Sequence, residues 1–309
     1  MTTPDYTSLQ WKSHQINTGL TKEPVNYFNP LKLQGDIKLG DFVFNTIDEY
    51  GIVWVLQDLE GWWGHPEPQV PDYARGNADG SYDVRGRWNA RELTLTGTFI
   101  VPDSSYVPLA RQRLVDASNL VYRGTWLRVN ESNYSKVAWV RLSGRPRIET
   151  VNARGRTEFS IGLRAPDPIK YSWNDLDFAD GFDVVNLACL NVDTGALGNV
   201  LVENKGNTPV PATFRVFGPT TDNAFVQNTT RNELILLTEP IISGSVLDID
   251  TYDNSVALDG EFSGARVMID PLADWIKLDP GYNSIDFIDF GNFSSTATLQ
   301  IYFRSGWIG

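Results

Sequence analysis

The sequence predicts an all-β protein with one helix, arranged as two domains: a β-sandwich or barrel followed by a jelly-roll type β-sandwich. Three observations predict this. Short runs of β-branched and aromatic residues alternate with Gly-, Asp- and Pro-containing turns along most of the chain. A single stretch carries helical spacing. The net charge changes sign near residue 170, as composition does at a domain boundary.

In the first domain, residues 41–45 and 52–57 (IVWVLQ) are of the types that fit a pleated sheet. Residues 92–101 (ELTLTGTFIV) begin with a period of two, which puts Leu93 and Leu95 on one face and Thr94 and Thr96 on the other. Residues 134–142, 147–152 and 157–163 continue in that style, separated by turns at Ser143-Gly144 and Arg154-Gly155. Residues 103–120 place Tyr106, Ala110, Leu114 and Ala117 at helical spacing, with Ser104 or Ser105 as the expected cap and Pro108 in the first turn. The proline-containing stretch 165–175 closes this unit. Eight further strands are expected at 183–190, 199–204, 212–218, 233–237, 244–250, 254–258, 284–290 and 296–303. The expected organisation is a polar entry segment 1–30, a first domain 31–170 and a second domain 171–309.

Composition narrows the function. The chain has 309 residues, a net charge of −12, ten tryptophans, two histidines and one cysteine. One cysteine excludes an internal disulfide, and Cys189 sits in an apolar run where a buried thiol is expected. His14 and His65 lack metal-ligand or triad spacing, so no enzyme, metal or cofactor is expected. There is no basic and apolar leader at the start and no apolar run long enough to span a bilayer, so the chain reads as made in a cytosol without membrane insertion. The overall acidity argues against general nucleic-acid binding. The charge is −5 over residues 1–70, +6 over 71–170 and −13 over 171–309. Such a split suits a part that mates with differently charged neighbours, although solvated surface charge explains it equally well.

Three groups of motifs, taken together, resemble the distal tail and related minor tail proteins of siphophages, particularly those of actinobacteria. The first is GWWGHPEP at residues 61–68, followed by Arg75-Gly76, Asp79-Gly80 and the strand through Leu93. The second is the lone helix inside a β domain, closed by a basic hairpin and APDP at 165–168. The third is ENKGN at 203–207, PVPATFRVFG at 209–218, Asn228-Thr229-Thr230, GSVLDIDT at 244–251 and WIKLDPGYN at 275–283. The resemblance runs from about Asp36 to Phe303 and implies a belt domain that forms a hexameric ring, with a galectin-like sandwich projecting outward as a free arm. It also implies a place at the virion tail tip, joining the tail tube to the baseplate hub. The implied partners are further copies of the chain, the tail-tube protein, a hub or tail-associated protein and other minor tail proteins.

Several residues are candidates for a site. Trp62, Trp63 and His65 serve a subunit interface, core packing or sugar stacking. Arg85, Arg87, Arg145 and Arg147 belong to a basic region, with Arg141, Arg154 and Arg156, that meets an acidic neighbour or lines a channel. Trp275, Tyr282 and Trp307 invite a carbohydrate-binding reading, the alternative in which the chain is a host-surface adhesin. Asp248 and Asp250 point to one face of a strand with Asp253 and Asp259 nearby, a pattern open to a cation or a glycosidase pair, but solvated charge is the favoured reading.

Overall fold

The computed structural model describes residues 37–131, 135–150, 156–173 and 181–309. The entry segment 1–30 and Arg154 lie outside them. The first half of the chain supplies β1 (Ile37–Leu39), β2 (Phe42–Val43), β3 (Thr46–Ile47), β4 (Val53–Glu60), β5 (Pro68–Gln69), β6 (Arg87–Trp88) and β7 (Arg91–Ile100). Helix α1 (Val107–Ala117) follows, then β8 (Thr125–Asn130), β9 (Ser135–Leu142), β10 (Arg147–Thr150), β11 (Arg156–Ala165) and β12 (Lys170–Trp173). The second half supplies β13 (Asp183–Ala188), β14 (Asn199–Asn204), β15 (Val210–Phe217), β16 (Ala224–Asn228), β17 (Glu233–Leu236) and β18 (Val246–Asp250). It ends with β19 (Ser255–Leu258), β20 (Lys277–Leu278), β21 (Gly281–Asp289), β22 (Thr298–Phe303) and β23 (Gly306–Trp307).

The first domain is an eleven-stranded sheet in the order β2-β1-β8-β9-β11-β7-β4-β3, with β10, β12 and β23 attached beside that path. Its two halves meet only where Leu163 and Arg164 pair with Leu142 and Arg141, and they enclose one core. Strand β7 is the spine: it pairs with β11 over ten residues and with β4 on its other side. The alternation read from the sequence is its cause, since Leu93 and Leu95 are buried while Thr94 and Thr96 are half-buried. Rings of Phe42, Trp54 and Phe99 pack edge-on or tilted, 4.8 to 5.2 Å apart, and complete that core.

Helix α1 lays Ala110 and Leu114 onto this core, with Pro108 in its first turn. The cap differs from the expected serines. Asp103 is extended and accepts the Ser105 N–H at 2.9 Å, opening a 3-10 turn (Ser104–Tyr106) that feeds the helix. A carboxylate is the stronger acceptor for the unpaired N–H groups of a helical start, and the following serine supplies only its backbone.

The second domain is a sandwich of two sheets. One runs β13-β22-β15-β18-β19 with β20 beside β15, and the other runs β14-β21-β16-β17. Phe214, Ile249 and Ile301 from the first face meet Val226, Ile285 and Phe287 from the second in one dry cluster. The motif asparagines have a structural role. Asn204, Asn228 and Asn283 are each fully buried, and all three reach the short β20 and the turn after it. Asn204 donates to Leu278 O, Asn228 donates to Lys277 O, and Asn283 accepts the Asp279 N–H. A two-residue strand leaves its backbone groups short of partners, and the amide side chains supply them.

Besides six strands of two or three residues (β1, β3, β5, β6, β20 and β23), three longer strands went unread in the sequence. Thr125–Asn130 and Ala224–Asn228 lack a clean alternation with their flanks, and Lys170–Trp173 follows two prolines in a stretch expected to be a linker. Residues 41–45 hold only the two-residue β2 and the turn after it, with Asn45 at φ 58°, and β3 starts at Thr46.

The backbone approaches closely at Gly97 in the first core, where an added methyl would stand 2.4 Å from both Phe159 Cζ and Val55 O. Gly97→Ala is expected to cost about 1–3 kcal/mol through forced movement of β4 or Phe159. Denaturant unfolding checks it.

Candidate subunit interface

The GWWG motif builds the base of an arm. Gly61 has φ +81°, and a Cβ there would lie 2.1 Å from Glu92 O, so only glycine allows the chain to turn this tightly off β4. Beyond the turn, residues 66–89 leave the sheet as a finger. It is held by the two-residue β5–β6 ladder, the Ala74–Ser81 bridge and the tip bond from Arg75 N to Gly80 O. Its side chains are almost all exposed. Val70, Tyr73, Tyr82 and Trp88 are between 44% and 61% exposed, and Trp63 at its root is 52% exposed.

The base is clamped by one buried cation. Arg91, the first residue of β7, is 1% exposed, and its guanidinium donates only to main-chain carbonyls. It reaches Gly61 O at 2.8 Å and Gly64 O at 2.7 Å in the turn, Pro168 O at 3.1 Å in the connection, and Ile308 O at 2.8 Å. Burial lowers its pKa without an acid to compensate, which the fan of carbonyl dipoles offsets. Lys170 lies beside it, equally buried, and donates to Trp62 O at 2.9 Å. Desolvation, with repulsion from Arg91, pushes the Lys170 pKa down to about 8. Trp62 is fully buried between these groups, donating its indole N–H to Glu131, which also holds Lys136; the Lys136 ammonium in turn sits 4.7 Å from the centre of the Trp307 ring.

The second domain is tied to the same place. Strand β23 pairs with β12, so Gly306 and Trp307 complete the first domain's sheet. Ser172 and Ser305 exchange bonds at 2.8 and 2.9 Å. Asn207 N donates to Gly306 O, and an added methyl on Gly206 would lie 1.8 Å from that oxygen, so the ENKGN turn fits only with glycine. Arg304 lies over Trp126, Trp173 and Phe182, 4.0 to 5.2 Å from their ring centres. The second domain is therefore tied to the first at this junction rather than joined to it by a free linker. The finger at 66–89 is the projecting element.

The sequence candidates separate accordingly. Trp62 is interior, so it does not offer a surface. His65 stacks on Trp88 at 5.4 Å and Arg85 and Arg87 are exposed, all on the finger or its root. Arg145 and Arg147 lie away from it at the exposed β9–β10 turn, with Arg147 bridged to Glu149. The three aromatics of the carbohydrate reading do not gather. Trp275 packs against the second core with Arg266 over its ring, Trp307 is in the junction, and Tyr282 is exposed on β21. Asp248 is bound by Arg215 at 2.6 Å, while Asp250 and Asp259 accept backbone N–H groups, which leaves no carboxylate pair facing a ligand. No metal-holding cluster occurs among the described residues. Arg91 and Lys170 were missed. An arginine opening a strand two residues past the aromatic stretch was the only signal for Arg91.

Comparisons with known proteins follow the same lines. The family described as siphovirus-type tail component, C-terminal domain, matches residues 205–307. The crystal structure of the SPP1 Dit protein, described as a paradigm of the hub adsorption apparatus in phages infecting Gram-positive hosts, superposes with a TM-score of 0.57 at 15% identity. That match covers 82% of this chain and 93% of the Dit chain. A chain of the phage P2 baseplate, solved in its activated conformation with Ca, gives 0.46 at 8% identity over 86% of this chain and 96% of that one, too remote to carry an argument. No curated protein matches in sequence. Residues 205–307 are thus similar in sequence to a siphovirus-type tail-component domain. The two-domain β fold is similar to that of the SPP1 Dit protein.

Two outcomes are expected. Arg91→Met leaves the carbonyls of Gly61, Gly64 and Ile308 without their donor and costs about 3 kcal/mol, read by denaturant unfolding. For Lys170, the unfolded chain keeps its proton up to an ordinary pKa of 10.5 while the folded chain loses it near 8, so stability rises with pH across that window. Lys170→Met is expected to flatten that rise in a series of melts.

Proposed function

We infer that the chain is a structural ring subunit of the tail tip: copies close into a ring, a hexamer, that joins the tail tube to the hub. The observation that carries this reading is the finger. A segment of 24 residues keeps a defined course with no core beneath it while exposing four large apolar side chains. Contiguous apolar exposure of this kind marks a protein–protein contact, and Tyr, Trp and Arg are the residues enriched in such contacts. A finger that engages a different surface of the next copy makes a head-to-tail contact, which closes as a ring when the rotation permits.

The family domain supports a place in the tail, and the SPP1 relative's role in a hub supports the end of the tail rather than its shaft. The role is mechanical, without turnover: the junction transmits load between the two domains and the finger transmits it between copies. The partners are the tail tube above and the hub below. No helix among the described residues is long and apolar enough to cross a membrane. A cell-wall glycan is the lesser reading, because of its three aromatics only Tyr282 offers an open face.

Light scattering across a concentration series, with particle imaging, tests this. A closed ring is expected for the parent protein. Tyr73→Ser with Tyr82→Ser is expected to weaken assembly at least tenfold while leaving the melting temperature of the monomer unchanged. Assembly equal to the parent would overturn the role of the finger.

A further inference from the structure

Two exposed surfaces, one on each domain, carry opposite charge. On the first domain, strand β9 runs from its pairing with β12 at Ser135 and Val137 to Arg141, and the Arg164 opposite it is one residue from the Ala165–Arg91 pair, so a basic strip starts beside the clamp and runs outward. There Arg141 stands directly opposite Arg164 across the β9–β11 contact, and Arg145 and Arg147 follow in the next turn. Like charges placed opposite each other on one face repel. Glu92 and Glu149 bridge Arg164 and Arg147, while Arg141 and Arg145 have no ion pair among the described residues.

On the second domain, strand β15 starts in the junction at Val210, against Gly306, and runs outward to Phe217 beside Val246. Glu239, Asp259 and Glu261 are exposed around that far end, among the side chains of Ile242, Phe262 and Val267, which are 67% to 70% exposed. From residue 239 to 276 there are eight acidic residues and one basic one. That one, Arg266, is turned inward, donating to Ile269 O, Asp270 O and Pro271 O and covering Trp275. This fixes the loop while its apolar groups stay open. An acidic surface with organised, exposed apolar side chains is a docking face for a basic protein surface.

We propose that these two surfaces meet between copies: the basic strip of one subunit (Arg141, Arg145, Arg147, Arg164) docks on the acidic far end of the second domain of the next. The two surfaces lie on different domains and match in charge, and a second copy supplies the complementary one. The contact is head-to-tail. The inference rests on the ring reading and deepens it, adding a second contact between neighbours beside the finger.

Charge reversal on the full chain tests it, with association measured by light scattering at low and at physiological salt. Arg141→Glu with Arg145→Glu, and separately Glu239→Lys with Glu261→Lys, are each expected to weaken association at least tenfold. All four sites are exposed, and unfolding curves matching the parent establish that each variant is folded. The four substitutions combined in one chain restore complementarity and are expected to recover association, as does mixing the two double variants. Rising salt is expected to weaken the parent. Rings that form equally well in both double variants, or a combined variant no better than either, overturn this contact and leave the ring reading standing. A parent that stays monomeric at low salt overturns both.

Discussion

Arg91 is the constraint on which the rest of the structure depends. A guanidinium with no carboxylate beside it is costly to bury, and it is tolerated only where carbonyl oxygens surround it in the plane of its donors. Those oxygens come from the turn that launches the finger, from the connection between the domains and from the segment after β22. Moving any one of them leaves a buried charge short of partners. The three pieces are therefore held in one geometry by the penalty for separating them, more than by the area they share.

This explains the division of labour in the fold. Each domain has its own core, and Tyr171 of β12 in the first domain packs against the second core. What joins them is polar and specific: one short ladder, paired serines, a glycine-only turn and the aromatic bed under Arg304. Such a junction holds the two domains in one register, which suits the ring subunit proposed above. The surfaces that would otherwise invite uncontrolled association, the finger and the two charged surfaces, then keep fixed positions relative to one another.

Much of the fold was legible in the sequence because its causes are local. The alternation through Leu93 and Leu95 marks β7, and the spacing of Ala110 and Leu114 marks the helix. The charge reversal near residue 170 was visible as well, although the surfaces it forms on the two domains were not. The site was less legible. Trp62 and Trp63 are adjacent and alike in the sequence, yet one is buried and the other open, because Gly61 turns the chain between β4 and the finger. The partners of Arg91 lie up to 217 residues away, a separation that no periodicity records. Strand β12 escaped for the same reason: its partners are β9 and β23, and the prolines before it argue locally against a strand.

The most direct measurement of the central claim is the distance between the two charged surfaces. Spin labels are placed at the exposed positions Ser143 and Ser263, with the buried Cys189 replaced by alanine and the labelled protein diluted into unlabelled protein to isolate distances within one chain. A single narrow distribution, unchanged by salt, is predicted for a body clamped at Arg91, and Arg91→Met is predicted to broaden it. A broad or two-peaked distribution in the parent would contradict the account, because the second domain would then move independently of the first.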